Sequence, residues 1–220
     1  MRLFAFGFAA GLPIMLVFSS LSFWLREAGL AKSTIGFFSW VTLAYAAKWA
    51  WAPIIDKLNL PWLHTQLGRR RSWLILVQVC LIISIAFMAF TNPQLNLTQM
   101  ALAAVAVAFF SATQDILIDA FRIESGTERQ QAAMAAAYLM GYRLAMIVAT
   151  AGILYFAAIF QTIDGYDYHA WQLSYLIMAA LMAGCTTFTF FAPEPDHNEA
   201  GSNQDTVNLP PGTAVQNPVQ

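Results

Sequence analysis

Six stretches of this chain, at about residues 3–25, 34–54, 72–90, 99–121, 132–160 and 171–191, are runs of mainly apolar side chains. Each is close to or above the ~20 residues a helix needs to cross a hydrocarbon core of ~30 Å. No other feature restricts the fold as strongly. The 220 residues are 59% hydrophobic and only 10% charged. A soluble domain carries about 25% charge and about 45–50% apolar residues, so one soluble core cannot hide this excess. The expected fold class is all-α and integral to a membrane, a six-transmembrane-helix bundle. The opening Met1-Arg2-Leu3-Phe4 has the look of a secretory signal. The first apolar run is ~22 residues long and others follow it, so it reads as a retained span.

After Pro193 the composition changes to Pro, Gly, Asn, Gln and acids. Residues 193–220 cannot bury enough surface to fold, and the expectation is a disordered polar tail. Lys and Arg set the orientation. With the N-terminus inside, the inner segments hold Arg2, Lys57, Arg69, Arg70, Arg71, Arg122 and Arg129, against Arg26 and Lys32 outside. That bias predicts that both termini and the tail are cytoplasmic.

Well inside the spans, away from their ends, lie three charged side chains, Lys48, Asp115 and Arg143. In hydrocarbon each costs several kcal/mol unless it is paired or solvated by a cavity. Asp115, Asp119 and Arg122 are spaced i, i+4, i+7, so they share one face of the fourth span, and that face is expected to point into the bundle. Lys48 and Asp115 each lie about 9 Å from the inner end of a span, which permits a pair between them. Lys48 has the alternative of snorkelling to the interface. Arg143 is about 16 Å into the fifth span, near the midplane, within Gly141-Tyr142-Arg143. A guanidinium there suits a carboxylate or phosphate of an anionic substrate, or the Asp that carries a proton. Asp115 is the candidate proton carrier, with Gln114 beside it. Asp119 and Arg122 stand at the inner mouth, where contact with the Arg69-Arg70-Arg71 loop is the other reading. Gly7, Gly11 and Pro13 mark a kink or a close neighbour in the first span. Trp49 and Trp51 fit the headgroup level at the end of the second.

Several classes have no support. Cys80 and Cys185 sit in apolar runs without metal-ligand spacing. No nucleophile–base pair or glycine-rich phosphate loop marks an enzyme. No cofactor is expected, and no basic patch outside the loops points to nucleic acid.

The motifs in order are Gly7-Phe8-Ala9-Ala10-Gly11-Leu12-Pro13, Thr34-Ile35-Gly36-Phe37-Phe38, Ala52-Pro53-Ile54-Ile55-Asp56, Gly68-Arg69-Arg70-Arg71-Ser72-Trp73, Ser111-Ala112-Thr113-Gln114-Asp115-Ile116 and Gly141-Tyr142-Arg143-Leu144. In this series the sequence resembles the AmpG-type muropeptide permeases of the major facilitator superfamily, over residues 7 to 144. The resemblance implies the N-terminal half of a facilitator, six spans in a 3+3 repeat. It implies proton-driven import of anhydromuropeptides across the bacterial inner membrane for cell-wall recycling, with the proton gradient as driving force. It places Asp115, Asp119, Gly141 and Arg143 in the polar core. Asp56 with Arg69, Arg70 and Arg71 stands for the loop that latches two halves together, although the insertion between Asp56 and Arg69 is longer than in the general facilitator pattern.

A facilitator needs twelve spans, because its substrate site lies between two six-span halves. The expected partners are therefore the lipid bilayer, a small anionic sugar-peptide, and a second six-span half supplied by another chain or by a second copy. The tail reads as the start of the linker between halves. Two alternatives stand beside this one: a truncated remnant that does not transport, and a related facilitator for another anion such as acetyl-CoA.

Overall fold

The computed structural model describes residues 2–38, 41–57, 68–125 and 128–191. The tail at 193–220 and the loop at 58–67 lie outside the described residues, as do the side chains of Asp56, Lys57 and Arg69. Every described regular element is helical. Helix α1 covers Arg2–Glu27 and contains a π-helical turn at Leu16–Ser20. Three short helices follow: α2 (Lys32–Phe38), α3 (Thr42–Ala46) and, after a 3-10 turn at Lys48–Ala50, α4 (Ala52–Lys57). Then come α5 (Arg69–Ala89) and α6 (Leu97–Glu124). Helix α7 is one rod made of Glu128–Ile147, a π-helical turn at Val148–Gly152, and Ile153–Phe160. Helix α8 is Tyr168–Phe191.

Helices α1, α5, α6, α7 and α8 are each long and apolar enough to cross a membrane. They match the expected first, third, fourth, fifth and sixth spans, generally with an extra turn or less at an end. The second is different. A continuous helix over 34–54 is not observed; the segment is divided among α2, α3, the 3-10 turn and α4. Pro53 accounts for the last break, since it lacks an N–H and its ring opposes the carbonyl four residues earlier, at Trp49. The turn before it closes with 3-10 geometry, Ala50 N–H to Ala47 O at 2.9 Å.

Helices α1 and α7 make the closest contact in the bundle, and glycine permits it. A Cβ on Gly7 would collide with the Tyr138 carbonyl, and one on Gly141 with the Phe4 carbonyl. Small residues at a helix crossing let backbones meet where lipid gives no hydrophobic drive. The expectation of a close neighbour at Gly7 and Gly11 is met, and that neighbour is α7. Further out, the two π-helical turns face each other, and the buried Ser20 hydroxyl donates to Ala149 O at 2.7 Å. Tyr175 Oη of α8 donates to Leu16 O at 3.0 Å, and Trp24 stacks on Trp171 with centroids 5.8 Å apart.

Two apolar clusters fill the interior. One joins Leu12, Leu16, Leu81, Ile85, Val107, Ala108 and their neighbours. The other joins Leu3, Phe6, Leu74, Val77, Leu117, Ile118 and Phe121. Beyond the second cluster, Arg70 and Glu124 close the α5–α6 hairpin with a 2.6 Å ion pair.

Candidate functional site

The candidate site lies where the broken second-span segment meets α6. Trp51 fixes the two together. Its indole N–H donates to Thr113 Oγ1 at 3.2 Å, and its ring lies 5.1 Å from Phe109. Trp51 thus turns inward to α6, while Trp49, 75% exposed, keeps the outward position expected of both. Thr113 in turn donates to Phe109 O, which holds its hydroxyl in place to accept from Trp51.

This docking brings Tyr45 and Lys48 over Ser111 and Asp115. Tyr45 Oη and Ser111 Oγ are buried against each other. Both amide atoms of Gln114, next along α6, and Asp115 Oδ1 are buried and have no hydrogen-bond partner among the described residues. Lys48 and Asp119 are the charges that act most strongly on Asp115. Lys48 and Asp115 do not close to ion-pair distance; the described ion pairs are Arg70–Glu124 and Arg122–Asp119. Buried polar atoms left without partners are expensive and uncommon, and a cluster of them marks a place where water, a proton or a ligand is handled.

The face shared by Asp115, Asp119 and Arg122 continues toward α7. Arg122 Nη2 lies 3.4 Å from Asp119 Oδ1, one turn back on the same helix. The Arg122 guanidinium also sits 5.9 Å from the Tyr138 ring, and Tyr138 lies 5.9 Å from Tyr142. A polar track thus runs from Lys48 through Asp115 and Asp119 to Arg122, Tyr138 and Tyr142.

Arg143 is not part of that cluster. It is exposed on the face of α7 that also carries Leu139, Met140 and Ile147, all more than half exposed. It makes no ion pair with Asp115. Gly141 is turned the opposite way, against α1, and works as a contact glycine. Among the latch residues, Arg70 is paired with Glu124, and Arg71 Nη2 donates to Phe190 O at 2.6 Å. Arg122 is joined to Asp119.

Sequence reasoning passed over Tyr45, Ser111, Tyr138, Glu124 and Gln78. Glu124 follows Arg122 in the acidic and basic end of α6, and its partner depends on how α5 is rotated. Gln78 is a neutral amide in an apolar run, the same kind of signal as Asp115 without the charge. It is fully buried and both its amide atoms lack partners.

Among the described residues, no group of three or more His, Cys, Asp or Glu is placed to hold a metal ion.

Residues 1–166 match the family described as Acetyl-coenzyme A transporter 1. The chain is 39% identical over 204 residues to the anhydromuropeptide permease of Escherichia coli K12, covering 93% of this chain and 38% of that protein. It is 34% identical over 195 residues to the putative transporter AmpG 4 of Rickettsia felis, covering 89% of this chain and 45% of that one. An uncharacterized protein of Haemophilus influenzae is 34% identical over 199 residues. The chain thus spans less than half the length of these relatives. Its helices are those of a membrane protein, its relatives are named permeases and transporters, and with 166 of its 220 residues inside the match it belongs to the acetyl-coenzyme A transporter 1 family, as a homologue of AmpG-type permeases.

Proposed function

We propose that this chain forms one half of a proton-coupled secondary transporter that imports anhydromuropeptides through a bacterial inner membrane, and that it works against a second six-span half. The observation that carries this reading is Asp115: a carboxylate within a bilayer-length helix, one oxygen buried without a partner, under the charge of Lys48. Such a group is costly in a static bundle and useful where a proton is loaded and released. Gln114, Asp119, Tyr142 and Lys48 complete the path. Arg143 supports the need for a second half. A cation in the middle of an apolar exposed helix face does not belong against lipid; it belongs against a watery cavity or another protein surface. In this reading Arg143 meets the anionic part of the cargo, both termini are cytoplasmic, and Asp56 with Arg69, Arg70, Arg71 and Arg122 forms the inner latch.

The test is uptake of labelled anhydromuropeptide by cells lacking their own permease. The chain is co-expressed with a C-terminal six-span half. Uptake is expected with both halves. Asp115→Asn, which keeps the shape and removes the proton site, is expected to lower proton-driven uptake by at least about tenfold, a barrier change of ~1.4 kcal/mol. No uptake with both halves present in the membrane overturns the proposal. The family description favours a second reading, an acetyl-CoA carrier, in which Arg143 faces phosphate. Uptake of labelled acetyl-CoA by the same cells, without uptake of the sugar-peptide, would select it.

A further inference from the structure

On α5 and α6 a buried amide stands between the two apolar clusters of the bundle. On α5 the boundary falls between Val77, in the cluster near Arg70, and Leu81, in the other. Gln78 stands between them. On α6 it falls between Leu117 and Ala108, and Gln114 stands between them. On α1 the two clusters meet at Ala9 and Ala10, one turn before Pro13. The heights agree when measured from the Arg70–Glu124 pair. Gln78 is eight residues, about 12 Å, along α5 from Arg70, and Gln114 is ten residues, about 15 Å, back along α6 from Glu124. From the Phe6–Phe121 ring contact, at 5.0 Å, Gln114 and Pro13 are each seven residues away, about 10 Å.

Three sets of polar atoms therefore share one slab of the interior. Gln78 and Gln114 are both 0% exposed, and neither the oxygen nor the nitrogen of either amide has a hydrogen-bond partner. The third is the carbonyl of Ala9, 1% exposed, which loses its helical donor because Pro13 carries no N–H. Two amides and a freed carbonyl offer both donors and acceptors, and in a hydrocarbon environment such groups are costly unless something satisfies them. Water is the ligand whose chemistry fits, since it donates and accepts at once and is held inside proteins by two to four polar partners.

We infer that Gln78, Gln114 and the Ala9 carbonyl form an internal water-binding layer across the centre of the bundle, behind the helix face that carries Asp115. It is a site on the inner side of α6, among α1, α5 and α6, and it does not depend on the identity of any cargo or on a second half.

The layer makes the two glutamines partners through water. In the full chain in detergent micelles, Gln78→Met and Gln114→Met each strand the other amide. Each is expected to lower the thermal unfolding midpoint by about 2–4 °C. The double variant removes both polar groups and is expected to lower it by less than the sum of the two. Single variants that leave the midpoint unchanged or raise it, or a double variant that simply adds the two losses, overturn the inference. A second measurement needs no variant. Hydroxyl radicals generated from water in intact membranes are expected to oxidise Leu81 and Leu117, which border the layer, several-fold faster than Ile85 and Leu25. Equal background labelling at all four overturns it as well.

Discussion

The α1–α7 crossing and the seam between the second-span segment and α6 solve opposite problems at similar depth. At the crossing, backbones meet directly across Gly7, Gly11 and Gly141, and a Cβ on Gly11 would lie 2.5 Å from Tyr142 O. Further out, the Ser20–Ala149 hydrogen bond ties the two helices together. At the seam, side chains led by Trp51 join two elements, and Asp115 keeps a buried oxygen without a partner among the described residues. The first contact is specified by shape and has no room to rearrange. The second is specified by chemistry and leaves a buried carboxylate oxygen unpaired. A bundle that must move or admit water benefits from having both, because the shape-specified contact supplies the rigid reference for the polar one.

The sharpest way to break that comparison is to add one carbon at the crossing. In Gly141→Ala the new Cβ meets the Phe4 carbonyl, which is backbone and cannot rotate away. The expected loss belongs to the diagnostic tail above ~4 kcal/mol, seen as collapse of membrane accumulation and of the thermal midpoint. Gly184→Ala on α8, where nothing lies within 4 Å, is expected to change neither. Similar behaviour of the two variants would mean that α1 and α7 are not in backbone contact.

A smaller effect is expected at the end of the α5–α6 hairpin. The Arg70 and Glu124 side chains are 10% and 23% exposed, and Arg70 Nε and Nη2 both donate to Glu124 Oε1, at 3.0 and 2.6 Å. Partial burial and the two-pronged geometry place this pair above an ordinary surface bridge. Glu124→Ala is expected to cost about 1–2 kcal/mol in detergent unfolding, and Arg70→Lys to recover less than half of a matched Arg70→Ala loss, since an ammonium lacks the fork. Full recovery by Lys would reduce the contact to a simple charge attraction.

What the sequence made legible follows from the same contrast. Apolar runs of bilayer length read directly as α1, α5, α6, α7 and α8, because length and hydropathy alone decide whether a helix crosses hydrocarbon. Asp115, Asp119 and Arg122 read correctly as one face, because helical spacing is local information. Partner choice was not legible. Gly141 looks like part of the polar motif Gly141-Tyr142-Arg143, yet Tyr142 and Gly141 point different ways, and only the rotation of α7 against α1 reveals it. Lys48 and Asp115 share a depth, but depth leaves the lateral distance open, and the break of the second span at Pro53 sets that distance. The breaking power of Pro53 was present in the sequence; a continuous apolar run concealed it.

A finer probe of the crossing is Ser20→Ala. It removes the 2.7 Å hydrogen bond to Ala149 O that ties the two π-helical turns together, and leaves the glycine contacts untouched. Interhelical hydrogen bonds in membranes are worth about 0.6 kcal/mol on average, so a loss of under ~1 kcal/mol is expected. A loss as large as that from Gly141→Ala would show that the hydrogen bond, and not the glycine fit, holds α1 to α7.

The smallest effect lies outside both contacts, where α8 begins. Asp167 precedes Tyr168, the first residue of α8, and its carboxylate works as an N-cap. Thr162 N–H and hydroxyl donate to Oδ2 at 3.0 and 2.8 Å, and His169 N–H donates to Oδ1 at 3.0 Å. The Thr162 backbone and hydroxyl bonds, followed by those from Ala170 and His169, hold its carboxyl below the ordinary value of 3.8. A carboxyl with a depressed folded pKa adds stability that is fully present above its unfolded value and fades as pH falls through the folded one. The 161–167 loop is therefore expected to keep its amide protection down to about pH 4 and to lose it below that, whereas Asp167→Asn should show weaker protection with no such step. Hydrogen exchange at Ala170 and His169 reads this directly. Protection that is flat from pH 6 to 3 in the parent chain would mean that the cap acts by shape alone, like the α1–α7 crossing, and not by charge.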